Sequence, residues 1–315
     1  MSLEDRYNTI RAEIAKVIYG QDEVIDFALA ALFSSGHILL EGPPGIAKTL
    51  LVRTVAQTLS LEFRRVQMTP DLLPGDITGS SIYREDNREF EFRRGPVFTN
   101  FLLADEINRA SARTQSSLLE AMQEVGVTHD GVTHPLPDPF ITFATQNPIE
   151  QEGTYPLPLA QLDRFMFKIV IGYPDQESEQ RILREHHASG GLSNPAAMGV
   201  QAVVTPQDIL EARQVIRDTH VRDEVIAYVS ELLRETRDDD SLFVGASPRS
   251  GLMLLMAAKS FARFAGRDFV IPDDIQQSFL PVMRHRVVLS PSTELEGTTA
   301  DEVLANLLEA VEVPR

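Results

Sequence analysis

Lys48 and Thr49 close the stretch GPPGIAKT (residues 42–49), and in that order they could hold a nucleoside triphosphate. A loop of pattern G-x-x-x-x-G-K-[ST] wraps phosphates in backbone N–H groups, sends its lysine to the β- and γ-phosphates and offers its hydroxyl to Mg2+. Gly42 and Gly45 supply the backbone freedom, but Ala47 stands where the pattern has its second invariant glycine. The extra methyl group is tolerated if φ is already negative there as the helix begins. Gly42, Pro43, Pro44, Gly45, Ile46, Ala47, Lys48, Thr49 and Leu50 are thus candidate nucleotide-binding residues, the bland alternative being a proline-rich turn before a helix.

A second chemical feature is the apolar run FLLADE, which ends in Asp105 and Glu106. A buried strand finishing in two carboxylates is costly unless something offsets the charge. In the functional reading Asp105 joins Thr49 as a Mg2+ partner, through water, and Glu106 is the base that polarises an attacking water. Asn147 ends ITFATQN, where an amide could hold that water, although asparagine at a strand end is often only a turn residue. Arg164 in LDRF and Arg249 in SPRSG are candidate transition-state arginines, being planar and permanently charged, or else ordinary salt-bridge partners.

These residues need elements to position them. The loop follows the apolar run HILLE (37–41) and precedes TLLVRTVAQTLS, which has helical spacing and no breaker. Further strands are expected at 62–67, 97–106, 141–147 and 165–172, with a helix over 112–124 capped by Ser111. Strands alternating with helices predict an α/β sandwich with a parallel sheet. Residues 68–96, with their alternating EFEFR, and residues 125–139, with Asp130-Gly131 at the centre, each read as an inserted hairpin. From 175 onward ESEQRILREHH and four more amphipathic segments predict helices alone. The chain therefore divides into a core over 1–190 and a helical domain over 191–315, with a hinge near 190.

Composition narrows the function. No apolar run reaches the roughly 20 residues of a membrane span, and the charged N-terminal segment does not read as a secretory signal. Absence of cysteine excludes disulfides and thiolate metal sites and fits a reducing cytoplasm. A net charge of −17 disfavours a dedicated nucleic-acid binder. His186 and His187 diverge on one helix, and His129 and His134 flank a hairpin turn without completing a ligand set, so Mg2+ with the nucleotide is the one metal expected.

GPPGIAKT, LLADEINRASARTQSSLLEAMQE, FATQNPIEQEGTYPLPLAQLDRF and GASPRSGL together resemble the MoxR family of AAA+ ATPases, from Tyr19-Gly20-Gln21 to HRVVLSP near 285–291. The related helix-2-insert clade, which includes the minichromosome maintenance helicases, commonly has alanine before the loop lysine. Ala47 thus resembles a clade marker, and 68–96 and 125–139 resemble that clade's helix-2 insert and the hairpin before its sensor strand.

The resemblance implies an AAA+ P-loop core with an all-α lid. It implies Lys48 and Thr49 in Walker A, Asp105 and Glu106 in Walker B, Asn147 as sensor 1, Arg164 as arginine finger and Arg249 as sensor 2. Val17, Ile18 and Gly20 fall where the family contacts adenine, and Arg109 is a further candidate at the subunit interface. A finger acting on a neighbour's ATP implies a homo-oligomeric ring, typically a hexamer. Such proteins remodel or mature others as chaperone-like ATPases, often beside a von Willebrand factor type A domain protein. Rival readings are a magnesium-chelatase-type motor subunit, a nucleotide-gated scaffold with little turnover, and a nucleic-acid motor; the protein client is not legible.

Overall fold

A computed structural model describes residues 2–86, 88–148, 153–188 and 194–314. Two helices come first. In α1 (Leu3–Ile14) Ser2 and Asp5 form a capping box that satisfies otherwise orphaned N–H groups. α2 (Asp22–Phe33) carries DEVIDFALAALF and is buried from Phe27 onward, as befits a helix that is apolar nearly all round.

The sheet units follow. β1 (Ile38–Glu41) leads through the 42–47 loop into α3 (Lys48–Thr58) and then β2 (Phe63–Gln67). A short α4 (Pro74–Thr78) introduces the hairpin β3 (Gly79–Arg84) and β4 (Glu89–Arg94). β5 (Phe101–Asp105), α5 (Ala112–Glu124), the hairpin β6 (Gly126–His129) and β7 (Val132–Pro135), and β8 (Ile141–Gln146) come next. A one-turn α6 (Leu159–Leu162) precedes β9 (Phe167–Val170), and α7 (Gln176–Ala188) closes this part.

Five strands form one sheet in the order β2-β5-β8-β1-β9, every neighbouring pair parallel. β5 and β8 are buried almost throughout because helices cover both faces of the sheet. Parallel pairing also puts every carboxyl end at one edge, so Glu41 aligns with Gln146 and Gln67 with Asp105.

Both inserts are hairpins. In the second, Asp130 (φ 49) and Gly131 (φ 78) occupy the two left-handed positions that a type I′ turn requires. The two are joined by Phe92 of β4, whose ring stacks on His129 at 4.8 Å and His134 at 4.4 Å. Among the described residues no group of three potential metal ligands forms.

α8 (Pro206–Arg217), α9 (Asp223–Asp238), β10 (Leu242–Val244), α10 (Pro248–Phe264), α11 (Pro272–Met283), β11 (Val288–Leu289), α12 (Pro291–Leu295) and α13 (Ala300–Ala310) build the rest. One apolar cluster runs from Leu3 through Ile38, Leu40 and Phe167 to Leu254 and Phe279, so these helices share a core with the first part. Tyr7 stacks on Phe264 at 4.2 Å, and Phe27 meets Phe167 and Phe261 at 5.0 and 5.2 Å.

Two expectations need correction. The strand expected over 97–106 begins at Phe101, because the Phe98 N–H donates back to the Gly95 carbonyl at 3.2 Å in a turn. The helical part also contains the antiparallel pair β10–β11, whose strands of three and two residues are too short to show alternation. The hinge expected near 190 lies outside the described residues, as does part of the 148–155 stretch. No described helix is long and apolar enough to cross a membrane.

Candidate active site

The 42–47 loop leaves the carboxyl end of β1 and is tied to β8 by the Gly42 N–H, which donates to the Gln146 carbonyl at 3.3 Å. Gly42 has no room for a side chain: a Cβ there would lie 2.5 Å from the Ile171 carbonyl oxygen and 2.7 Å from Ile46 Cδ1. Pro44, Gly45 and Ala47 are exposed at the crest, and Ile46 turns inward among the core residues. The Lys48 Nζ donates to the carbonyls of Gly42, Pro43 and Gln146 at 2.5, 3.3 and 3.5 Å, which holds the ammonium inside the curl of the loop.

Ala47 overturns its expectation. Its φ is 60° and ψ 25°, left-handed, and α3 starts only at Lys48. An L-residue pays roughly 1–2 kcal/mol for that conformation, so the position asks for glycine and the chain places alanine there regardless.

Neighbouring strand ends complete the edge. Asp105 accepts from Thr145 Oγ1 at 2.6 Å and Thr49 Oγ1 at 3.3 Å, and pairs with Arg65, whose NH2 lies 2.7 Å from Oδ2. Glu106 has φ 59°; its N–H donates to Thr145 Oγ1 at 2.8 Å, and its Oε2 accepts from Gln67 Nε2 at 2.7 Å and Arg109 NH1 at 3.0 Å. Arg109, expected at a subunit interface, is in this structure an ion-pair partner of Glu106. Asn147 follows β8 and is buried at the same edge. A carboxylate flanked by a threonine hydroxyl is a donor set that suits Mg2+.

Val17 and Ile18 are buried in the cluster that also contains Ile46 and Ile171. Gly20 (φ 68) packs against Ser178 of α7, where a Cβ would come within 2.5 Å of Oγ. Gln21 Nε2 reaches the Ile46 carbonyl at 3.5 Å, so this segment abuts the loop. Leu50, partly buried, packs on the same core from the first turn of α3.

Arg164 and Arg249 lie elsewhere. Arg164 precedes β9, whose first residue aligns with Ile38 at the start of β1, so it sits at the amino end of the sheet. Crossing from there to Lys48 spans the length of β1, roughly 15 Å at the rise of a strand. Both arginines line a cavity of about 900 Å3 between sheet and helical part, together with His37, Arg213, Arg217 and Met253. Arg249 Nε is 3.7 Å from Asp163 Oδ2, and among the described residues the Arg164 guanidinium has no hydrogen-bond or ion-pair partner. His37 accepts from the Thr142 N–H at 3.0 Å, and burial pushes its imidazole down to about 4.

Arg65, Gln67 and Thr145 were not singled out by their sequence. Each is distant in the chain from the carboxylates it touches, and its sole sequence signal is its place near the end of a strand expected to be parallel.

Comparison with known proteins agrees with this layout. Residues 37–167 match the ATPase family associated with various cellular activities (AAA), and 234–307 match the AAA lid domain. Chaperone MoxR1 of Mycobacterium tuberculosis is 43% identical over 312 residues, covering 96% of this chain and 81% of that one. Protein MoxR of Methylorubrum extorquens is 31% identical over 318 residues, 95% and 91% of the two chains. The crystal structure of a candidate ATPase from Cytophaga hutchinsonii superposes with a TM-score of 0.90 at 41% identity, covering 99% of this chain and 96% of that one. With a parallel αβα sheet, a helical lid and relatives of this similarity across nearly its whole length, the chain belongs to the MoxR family of AAA+ ATPases.

Proposed function

We propose that the chain binds ATP with Mg2+ and hydrolyses it within a homo-oligomeric ring, a hexamer, to remodel or mature a partner protein. The observation that carries this reading is the separation of two charge sets: loop and carboxylates at one edge of the sheet, Arg164 and Arg249 lining a cavity at the other. Residues 42–50 cradle the phosphates, with Lys48 on the β- and γ-phosphates, and Val17, Ile18 and Gly20 border the adenine. Thr49 and, through water, Asp105 hold Mg2+, which supplies charge neutralisation on the phosphate oxygens. Glu106 takes the proton of the attacking water, and Asn147 orients that water.

Arg164 and Arg249 are too far from Lys48 to serve the same chain's nucleotide, so they act on a neighbour's. They stabilise charge that develops in transfer, and no covalent intermediate is needed. Residues 1–190 act as the core and 191–315 as the lid, moving with phosphate state. A von Willebrand factor type A domain protein is the partner class that the family resemblance suggests.

The test is ATP hydrolysis against protein concentration in Mg2+, for wild type and Glu106→Gln. Specific activity that climbs with concentration and falls by roughly 10²–10⁴-fold in the variant, with ATP still bound, is the expected result. A flat, near-zero rate in both, with ATP bound, returns the chain to a nucleotide-gated scaffold.

A further inference from the structure

We propose that Asp163 is a positioning residue that holds Arg249 at the cavity it shares with Arg164 and is itself fixed by the buried Arg286; the inference rests on the reading above, in which those two arginines meet a neighbour's nucleotide.

Arg286, just past α11, has a side chain only 1% exposed. Its Nε donates to Asp163 Oδ1 at 2.8 Å, and its terminal nitrogens donate to the backbone carbonyls of Asp163 at 3.3 Å and Met166 at 3.2 Å, and to those of Val282 and Phe165. Burial pulls this guanidinium down to about 10, and Asp163 is the carboxylate that opposes the shift. A buried ion pair is a poor way to gain stability, since apolar side chains of similar volume generally do as well. What this pair does supply is a carboxylate with a fixed position.

That position is informative. Asp163 caps α6, its N–H donating to the Leu159 carbonyl at 3.0 Å, and the next residue is Arg164. With Oδ1 taken by Arg286, Oδ2 faces Arg249 Nε at 3.7 Å. This is ion-pair range but longer than a hydrogen bond, so Arg249 is steered and not locked. Arg249 is half exposed, free to swing onto an incoming anion at small cost. Arg164 and Arg249 line one cavity. The Asp163 carboxylate gives Arg249 its one counter-charge at that cavity among the described residues, and the lid, through Arg286, sets where the carboxylate lies.

Asp163→Asn tests this, alone and combined with Arg249→Ala, in the full chain. The expected result is fluorescent-nucleotide affinity within about 2-fold of wild type, KM little changed and kcat down roughly 10- to 100-fold. If Asp163 acts through Arg249, the double variant turns over no more slowly than Arg249→Ala. Losses that multiply overturn the proposal. Should Asp163→Asn not fold, Asp163→Asn with Arg286→Met removes the stranded charge together with its partner and carries the same cycle. Hydrogen exchange supplies a readout independent of turnover. In Asp163→Asn, exchange should quicken both over 161–167 and over 247–252. Quickening confined to 161–167 refutes the hold on Arg249 even if the wild type proves to have no ATPase activity, which would instead refute the functional reading.

Discussion

The two ends of the sheet are built on opposite plans. At the carboxyl edge nearly every charge is already matched: Lys48 sits on three carbonyls, Asp105 on two hydroxyls and Arg65, Glu106 on Gln67 and Arg109. At the amino edge Arg164 has no partner among the described residues, Arg249 touches Asp163 only at 3.7 Å, and both open into a cavity. A set of groups that satisfies itself is organised before ligand arrives, which is what electrostatic preorganisation requires. A cation that is unpaired among the described residues, or only loosely held, is instead suited to an anion brought from outside, which under the proposed function is the nucleotide of a second copy.

The sharpest way to break that contrast is Arg164→Ala. Loss of a transition-state arginine should cut turnover by roughly 10³-fold or more with ATP affinity unchanged. Mixing it with Glu106→Gln should restore activity at interfaces that join an intact Glu106 to an intact Arg164. Turnover equal to wild type would remove Arg164 from the reaction.

Thr145→Val attacks the preorganised edge. One hydroxyl donates to Asp105 Oδ1 and accepts from the Glu106 N–H, so the isosteric change takes this partner from both, while Asp105 Oδ2 keeps Thr49 and Arg65. A loss of about 1–3 kcal/mol of stability is expected, read from the denaturant midpoint, with slower turnover beside it.

Acid should separate the ends. The buried histidines His37 and His285 both belong to the arginine side, His285 contacting the Phe165 carbonyl at 2.9 Å. Burial depresses the folded-state value of His37 from 6.5 to about 4, and that of His285 well below 6.5. The unfolded chain therefore takes up protons first. The stability contributed by neutral His37 is complete above pH 6.5 and is lost progressively as pH falls toward 4. Exchange at 37–38 and 165–166 should quicken across that window before exchange at 42–49 does, and a pH-independent unfolding midpoint from 7 to 4 would refute the assignment.

The smallest effect concerns the loop crest. Ala47→Gly relieves a left-handed alanine and should stabilise by about 1 kcal/mol, measured by chemical unfolding. Lowered stability would mean that the alanine methyl makes a contact worth more than its strain.

Much of this was legible in the sequence alone. Ser111 caps α5, where it accepts from the Thr114 N–H, and Asp130-Gly131 turns a hairpin, because caps and turns depend on residues a few positions apart. Strands β1, β2, β5, β8 and β9 lie where strands were expected along the chain, although residues 97–100 form a turn and not the start of β5. Ala47 was misjudged for a physical reason: whether the helix begins at residue 47 or 48 is set by how the loop is held between Gln146 and Ile171, not by any local preference.

What the sequence by itself determined is the alternation of strand and helix, the two hairpins, and the identity of the groups able to do chemistry, all properties of spacing along the chain. What only the tertiary structure decided is their company. Strand order puts β5 between β2 and β8, which brings Gln67, Arg65 and Thr145 onto the two carboxylates. The packing of α11 against the amino end of β9 brings Arg286 to Asp163 across 123 residues. Those pairings follow from which apolar faces bury against one another, and hydrophobic burial is non-directional, so the pattern along the chain says that a face is covered but not by which element.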